Sequence, residues 1–303
     1  MLNIYSIIQR LQQKNEKAYY LAALRVLLSL WLLKELLLRW PAFEVLYSNN
    51  SFLDIKPVGL HFFLPWIQLV KANYLLFMYG LILLLLLNIT GAGRNLVSFL
   101  IFVALGTLQM INYKFVNGGD IMALLLSLYL SAANTFSFFT PGKRKPFSEK
   151  KERLYNLLSN LVVYSIMINL AFIYLMSGIG KLEDPYWRNG TAIHYLLNTE
   201  NYFVFASEER PLELPKIILY TLSYGVIILE LLAPFLIWYK KYRFPVFACL
   251  FLMHLFIYCF FMFYGMSVIF VLQYGLFFSE AEIKGALQKL KNILPFRLRK
   301  RQN

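Results

Sequence analysis

Six stretches of this chain, at 19–40, 70–89, 96–113, 121–139, 157–179 and 217–239, are apolar for 18 to 23 residues each. A hydrocarbon core about 30 Å thick takes roughly 17–25 helical residues, so each stretch is long enough to cross a membrane once. A seventh apolar stretch, 244–278, runs for 35 residues. As one helix it would reach about 52 Å, far beyond the core. Two slightly short helices broken near Tyr264 and Gly265 fit better, which brings the expected count to about eight spans.

The composition agrees. Of 303 residues, 59% are apolar and only 15% charged, against about 45–50% and about 25% in a soluble domain. A soluble fold of this length would expose too much surface to carry so little charge. That argues against a soluble enzyme, a disordered tail protein or a nucleic-acid binder. The net charge of +14 reads instead as the excess of Lys and Arg in cytoplasmic loops. With eight spans and a cytoplasmic N-terminus, twenty Lys and Arg fall inside and eight outside. Seven spans would place the seven cations of the tail outside. Both termini are therefore expected in the cytoplasm, in a multi-pass protein of the cell membrane. The first apolar run has no small-residue cleavage site behind it and reads as a retained signal anchor.

The expected architecture is an all-α polytopic membrane bundle over 1–278, followed by a basic cytoplasmic tail over 279–303. Ile283, Leu287, Leu290 and Ile293 recur at helical spacing among lysines, which reads as an amphipathic helix on the cytoplasmic leaflet. The segment 49–71 holds an apolar piece around Pro65 too short to cross alone, expected to be interfacial or re-entrant. The longest external loop, 184–215, is long enough for a small cap. Cys249 and Cys259 would lie about 15 Å apart on one helix, too far for a bridge. No Cys/His spacing suggests a metal.

Ionisable residues inside spans are the first candidates for function. Arg25 and Lys34 lie near span ends and can snorkel, and Glu35 and Arg39 at i,i+4 can pair. Glu230 and His254 lie deep, and both are expected to face the bundle interior. They read either as a polar pair lining a cavity or as neutral groups satisfying neighbouring helices. Asn117-Gly118-Gly119-Asp120 opens a span, where Asp120 serves as an N-cap partner or as a site carboxylate. The block from Gly178 through Lys181 and Trp187 to Ala192 follows a span directly. Lys181 there is either a partly desolvated amine usable as a base or an interfacial anchor beside Trp187.

Gly-x-Gly-Lys-Leu, then Trp187 and Asn189-Gly-Thr-Ala, resemble the horizontally transferred transmembrane (HTTM) domain family. So do the Asn-Gly-Gly-Asp helix start, Glu-Leu-Leu-Ala-Pro from Glu230 to Pro234, and the later His254. The family includes the membrane part of vitamin K-dependent gamma-carboxylase, and the resemblance covers roughly residues 18–278. It implies that Lys181 is the base that deprotonates a reduced quinone of the vitamin K or menaquinone type. Asp120 would share its external-face cavity, and Asn117, Trp187, Asn189, His194, Glu230 and His254 would shape the binding site. Two features depart from the carboxylase. Asp120 stands where it has a histidine, and Lys181 to Trp187 is one residue longer. The large soluble domain that captures carboxylation substrates is also not expected so soon before the chain's end. The resemblance extends to small proteins of bacterial secreted-peptide maturation systems. Three functions follow: a quinol- or lipid-using enzyme, a non-catalytic maturation or assembly factor for a secreted peptide or partner membrane protein, and, third, a lipid or small-molecule transporter. Membrane lipid is a partner in all three, and nucleic acid in none.

Overall fold

An apolar segment in lipid has no water for its amides and carbonyls, so it satisfies them internally as helix. The computed structural model describes residues 4–51, 61–140, 147–207, 209, 211–283, 285 and 288. These residues are predominantly helical, and the β pairing among them is a single isolated antiparallel bridge between Phe203 and Phe261. In chain order the helices are α1 (Ile4–Gln13), α2 (Ala18–Leu38), α3 (Phe43–Tyr47), α4 (Leu64–Ala72), α5 (Tyr74–Thr90), α6 (Arg94–Ile111) and α7 (Gly118–Ala132). They continue as α8 (Glu149–Glu183), α9 (Pro185–Arg188), α10 (Ala192–Leu197), α11 (Lys216–Leu236), α12 (Lys240–Phe260) and α13 (Tyr264–Val271).

Among the described residues, α6, α8, α11 and α12 are each long and apolar enough to cross a membrane, and α4 with α5 would make a fifth span. The chain is thus a multi-pass helical membrane protein. α2 has 21 residues but carries Arg25, Lys34 and Glu35, while α7 and 264–277 are apolar but shorter. The run at 70–89 is not one straight helix: α4 and α5 meet at 93°. The break falls at Asn73, whose side-chain amide donates to Leu69 O at 3.0 Å, while its backbone leaves the helical region at φ −120°. The 35-residue run divides as expected, with the break at Phe261–Phe263. The 184–215 loop carries two short helices, α9 and α10, and its Leu197 and Phe203 cluster with Phe261 to form a small cap. In the tail, Ser279 and Glu282 form a reciprocal capping box. Leu287, Leu290 and Ile293 lie outside the described residues.

Two apolar cores share α2. One packs α2 against α7, α8, α11, α12 and α13, the other against α3 to α6. A polar ladder pins α2 to α5 and α6: Asn88 Nδ2 donates to Ser29 Oγ, and Ser98 Oγ donates to Asn88 Oδ1, both at 2.9 Å. Such interhelical bonds hold where apolar surface alone gives no preference over lipid.

Arg25 does not snorkel. It is fully buried, and its guanidinium donates to Ile89 O at 3.1 Å, Thr135 O at 3.3 Å, Phe139 O at 3.3 Å and Phe138 O at 3.4 Å. Ile89 lies in the last turn of α5, and the other three follow the end of α7. A helix C-terminus leaves carbonyls without intrahelical donors, and the Ile89 carbonyl at the end of α5 joins three carbonyls of the irregular segment after α7 in solvating the buried cation. Arg39 pairs with Glu35 at 3.5 Å, as read, and Glu35 also takes Lys34 at 3.0 Å, a partner not read from the sequence.

α1 is held by a clasp. Asn160 Nδ2 donates to Leu11 O and Lys14 O at 2.8 Å each, and Asn156 Nδ2 donates to Gln12 O at 3.1 Å and Gln13 O at 3.3 Å. Four carbonyls at the end of α1 thus find donors on α8.

α7 and α13 touch backbone to backbone at Gly119. A Cβ there would lie 2.5–2.8 Å from Met266 N, Met266 Cα and Gly265 C. Gly119→Ala is expected to lower unfolding stability by about 1–3 kcal/mol, read as a lower melting temperature in detergent. Gly225→Ala on α11, where a Cβ meets nothing within 4 Å, is the control. Equal melting of the two variants would show that this approach is not needed.

Candidate functional site

The site around Lys181 begins with a glycine. At Gly178 a Cβ would come within 2.9 Å of the Leu231 side chain and 3.2 Å of its backbone nitrogen. Only a residue without a Cβ lets α8 and α11 come this close. Lys181, three residues on, then meets Glu230, the neighbour of Leu231. Gly180 faces open space, so of the two glycines before Lys181 it is Gly178 that shapes the site.

Lys181 Nζ donates to Glu230 Oε2 and to Ser177 Oγ, each at 2.7 Å. The side chains are 18% and 7% exposed, so the pair is largely removed from solvent. The Trp187 ring lies over the ammonium with its centroid 5.1 Å away, a contact worth about 0.5–2 kcal/mol. Trp187 is placed by local chemistry. Asp184 caps α9 through its Oδ1, which accepts from Tyr186 N at 2.8 Å and Trp187 N at 3.2 Å, and Pro185 fills the first helical position. Proline suits that position because its missing N–H would be unsatisfied there anyway.

The structure separates the other expected site residues. Asp120 is not at Lys181. Its Oδ2 accepts from Asn117 N at 3.1 Å, and Asn117 Oδ1 accepts from Gly119 N at 2.8 Å and Asp120 N at 3.2 Å. Both residues are thus spent on a capping box that closes the first turn of α7, and the shared Lys181–Asp120 cavity is replaced by a Lys181–Glu230 pair. Asn189 is exposed at the end of α9. His194 lies on α10, where Asn198 Nδ2 donates to its carbonyl at 2.9 Å.

Glu230 and His254 are 5% and 3% exposed and face the interior, as expected. They belong to different groupings. His254 Nε2 is 2.9 Å from Tyr174 Oη, which lies 2.6 Å from Tyr274 Oη. Tyr174 and Tyr274 were not singled out in the sequence, because a tyrosine in an apolar run carries no sign of its partner. Among the described residues, no group of three or more His, Cys, Asp and Glu could hold a metal, and Cys249 and Cys259 are free thiols.

Chemically, the arrangement holds an ammonium between a carboxylate, a hydroxyl and an indole face. To serve as a base, Lys181 must surrender a proton and with it the cation against which Glu230 is packed. Lys181 Nζ is instead the donor that the buried Glu230 carboxylate holds at 2.7 Å. The arrangement therefore favours tying α8, α11 and the cap together over proton abstraction. No family model, curated protein or solved structure matches this chain.

Proposed function

We propose that the chain is an HTTM-like protein of the cell membrane that acts by binding, as a maturation or assembly factor for a secreted peptide or partner membrane protein. The observation that carries this reading is the Lys181–Glu230 contact at 2.7 Å, which gives the lysine a structural role. The cap supports it as well: Tyr186, Tyr195 and Phe205 expose 56%, 54% and 69% of their surface, and aromatic side chains are favoured anchors at protein interfaces. The quinol-using reading makes the opposite demand, a Lys181 that gives up its charge. The two readings part in membrane discs supplied with a reduced menaquinone and oxygen. No quinone epoxide is expected above protein-free discs, whereas epoxide that disappears in Lys181→Arg would overturn the binding reading.

We further propose eight spans with both termini cytoplasmic, on the strength of twenty inside cations against eight outside. In this topology α2, α5, α7 and 264–277 complete the set begun by the longer helices. A cysteine introduced at Asn201 in the cap is expected to react with an impermeant thiol reagent from outside, and one at Ser148 to stay unlabelled. Labelling at Ser148 alone would invert the topology.

A further inference from the structure

A cavity of about 420 Å³ lies between α2, α5, α6, α7 and the start of α13. Lys181 is not among its lining residues. This volume falls within the roughly 300–1,000 Å³ usual for small-molecule sites. Its depth is hydrocarbon, with Leu36, Leu85, Leu108 and Ile269 in the wall, each 8% exposed or less.

One polar group in that wall is unsatisfied. Asn112 is 7% exposed and lines the cavity, and its Oδ1 has no hydrogen-bond partner among the described residues. A buried polar atom without a partner costs about 1–3 kcal/mol, so a ligand that satisfies it gains that much in binding. The side-chain amide has both an acceptor and donors, and a hydroxyl is the small group that can answer either.

The charges in the wall are already engaged and favour an uncharged head over a charged one. Arg39 is engaged by Glu35 at 3.5 Å and by the nearby charge of Asp120. Glu35 also pairs with Lys34 at 3.0 Å. Asp120 and Asn117 already occupy the amides that open α7. An anion finds no open helix N-terminus and a guanidinium already paired, and a cation finds both oxygens of Glu35 paired and one oxygen of Asp120 held by the α7 cap.

We propose that this cavity binds a single-chain lipid with an uncharged, hydroxyl-bearing head, of the monoacylglycerol class. The hydroxyl bonds the Asn112 amide and the chain lies along the leucines. This site is separate from Lys181, and the readout below does not depend on what Lys181 does.

The test uses the full chain in phosphatidylcholine nanodiscs doped separately with 1-monooleoylglycerol, oleate or oleylamine. Native mass spectrometry then counts the probe retained after release. One monooleoylglycerol per chain is expected, with the acid and the amine retained at least tenfold less. Asn112→Leu removes the amide at similar volume and is expected to weaken monooleoylglycerol retention about tenfold. Should that variant not fold, Ala123→Leu, which fills the cavity from α7, is expected to give the same loss. Equal retention of oleate or oleylamine, no retention of any probe, or undiminished retention by folded variants would each overturn the proposal.

Discussion

Arg25→Met is expected to lower unfolding stability by about 3–5 kcal/mol, because four carbonyls bonded by one guanidinium lose their donor together. The loss should appear as a smaller yield of monodisperse protein and a lower melting temperature. Arg25→Lys should recover little of it, since an ammonium cannot span carbonyls from the end of α5 and the segment after α7 as a planar fork does. Arg25 also touches the αL turn after α5: a Cβ on Gly91 would lie 3.3 Å from Arg25 Nη1 and closer still to Thr140. Freeing the guanidinium should therefore loosen that turn and the segment after α7 together. Faster amide exchange in both, with the cap unaffected, is the accompanying signature. A Met variant that melts with the wild type would show that the guanidinium is dispensable.

The second large effect concerns Lys181 and Glu230. Lys181→Met leaves a carboxylate and Glu230→Met an ammonium, each in a place with little solvent. Either change should cost about 3–5 kcal/mol. The double variant, Lys181→Met with Glu230→Met, should regain most of that loss, because a buried pair replaced by apolar residues of similar size is often neutral. Recovery in the double variant separates a structural pair from two independent contributions. Additive losses would mean that the 2.7 Å contact contributes no coupling.

The helices were legible in the sequence wherever an apolar run was long and unbroken, since lipid leaves such a run no other backbone form. A break between the short piece around Pro65 and the next span was legible, but its 93° angle and its place at Asn73 were not, because one asparagine inside an apolar stretch does not announce whether it faces a helix or ends one. The capping role of Asn117 and Asp120 could be read from their spacing, being a local motif. The partner of Lys181 could not, since it lies 49 residues away and is selected by where Gly178 lets two helices meet. Arg25 misled for a related reason. Its nearness to the span end suggested escape to water, whereas the end of α5 and the segment after α7 supply it with carbonyls. The Ser29–Asn88–Ser98 ladder was hidden likewise, each member being unremarkable alone.

The asparagine clasp on α1 has a consequence in time. Asn156 follows the carbonyl it holds at Gln12 by 144 residues, and Asn160 follows Leu11 by 149. At about 5–20 residues per second, synthesis needs roughly 7–30 s to deliver those donors after α1 has emerged. Throughout that interval α1 has no α8 to dock on. Its Ile4, Ile7 and Ile8 stay 39–73% exposed even after docking. α1 is therefore made well before the donors that fix it in its final place. A chain stalled before Asn156 should present α1 to a protease that spares it in the finished protein.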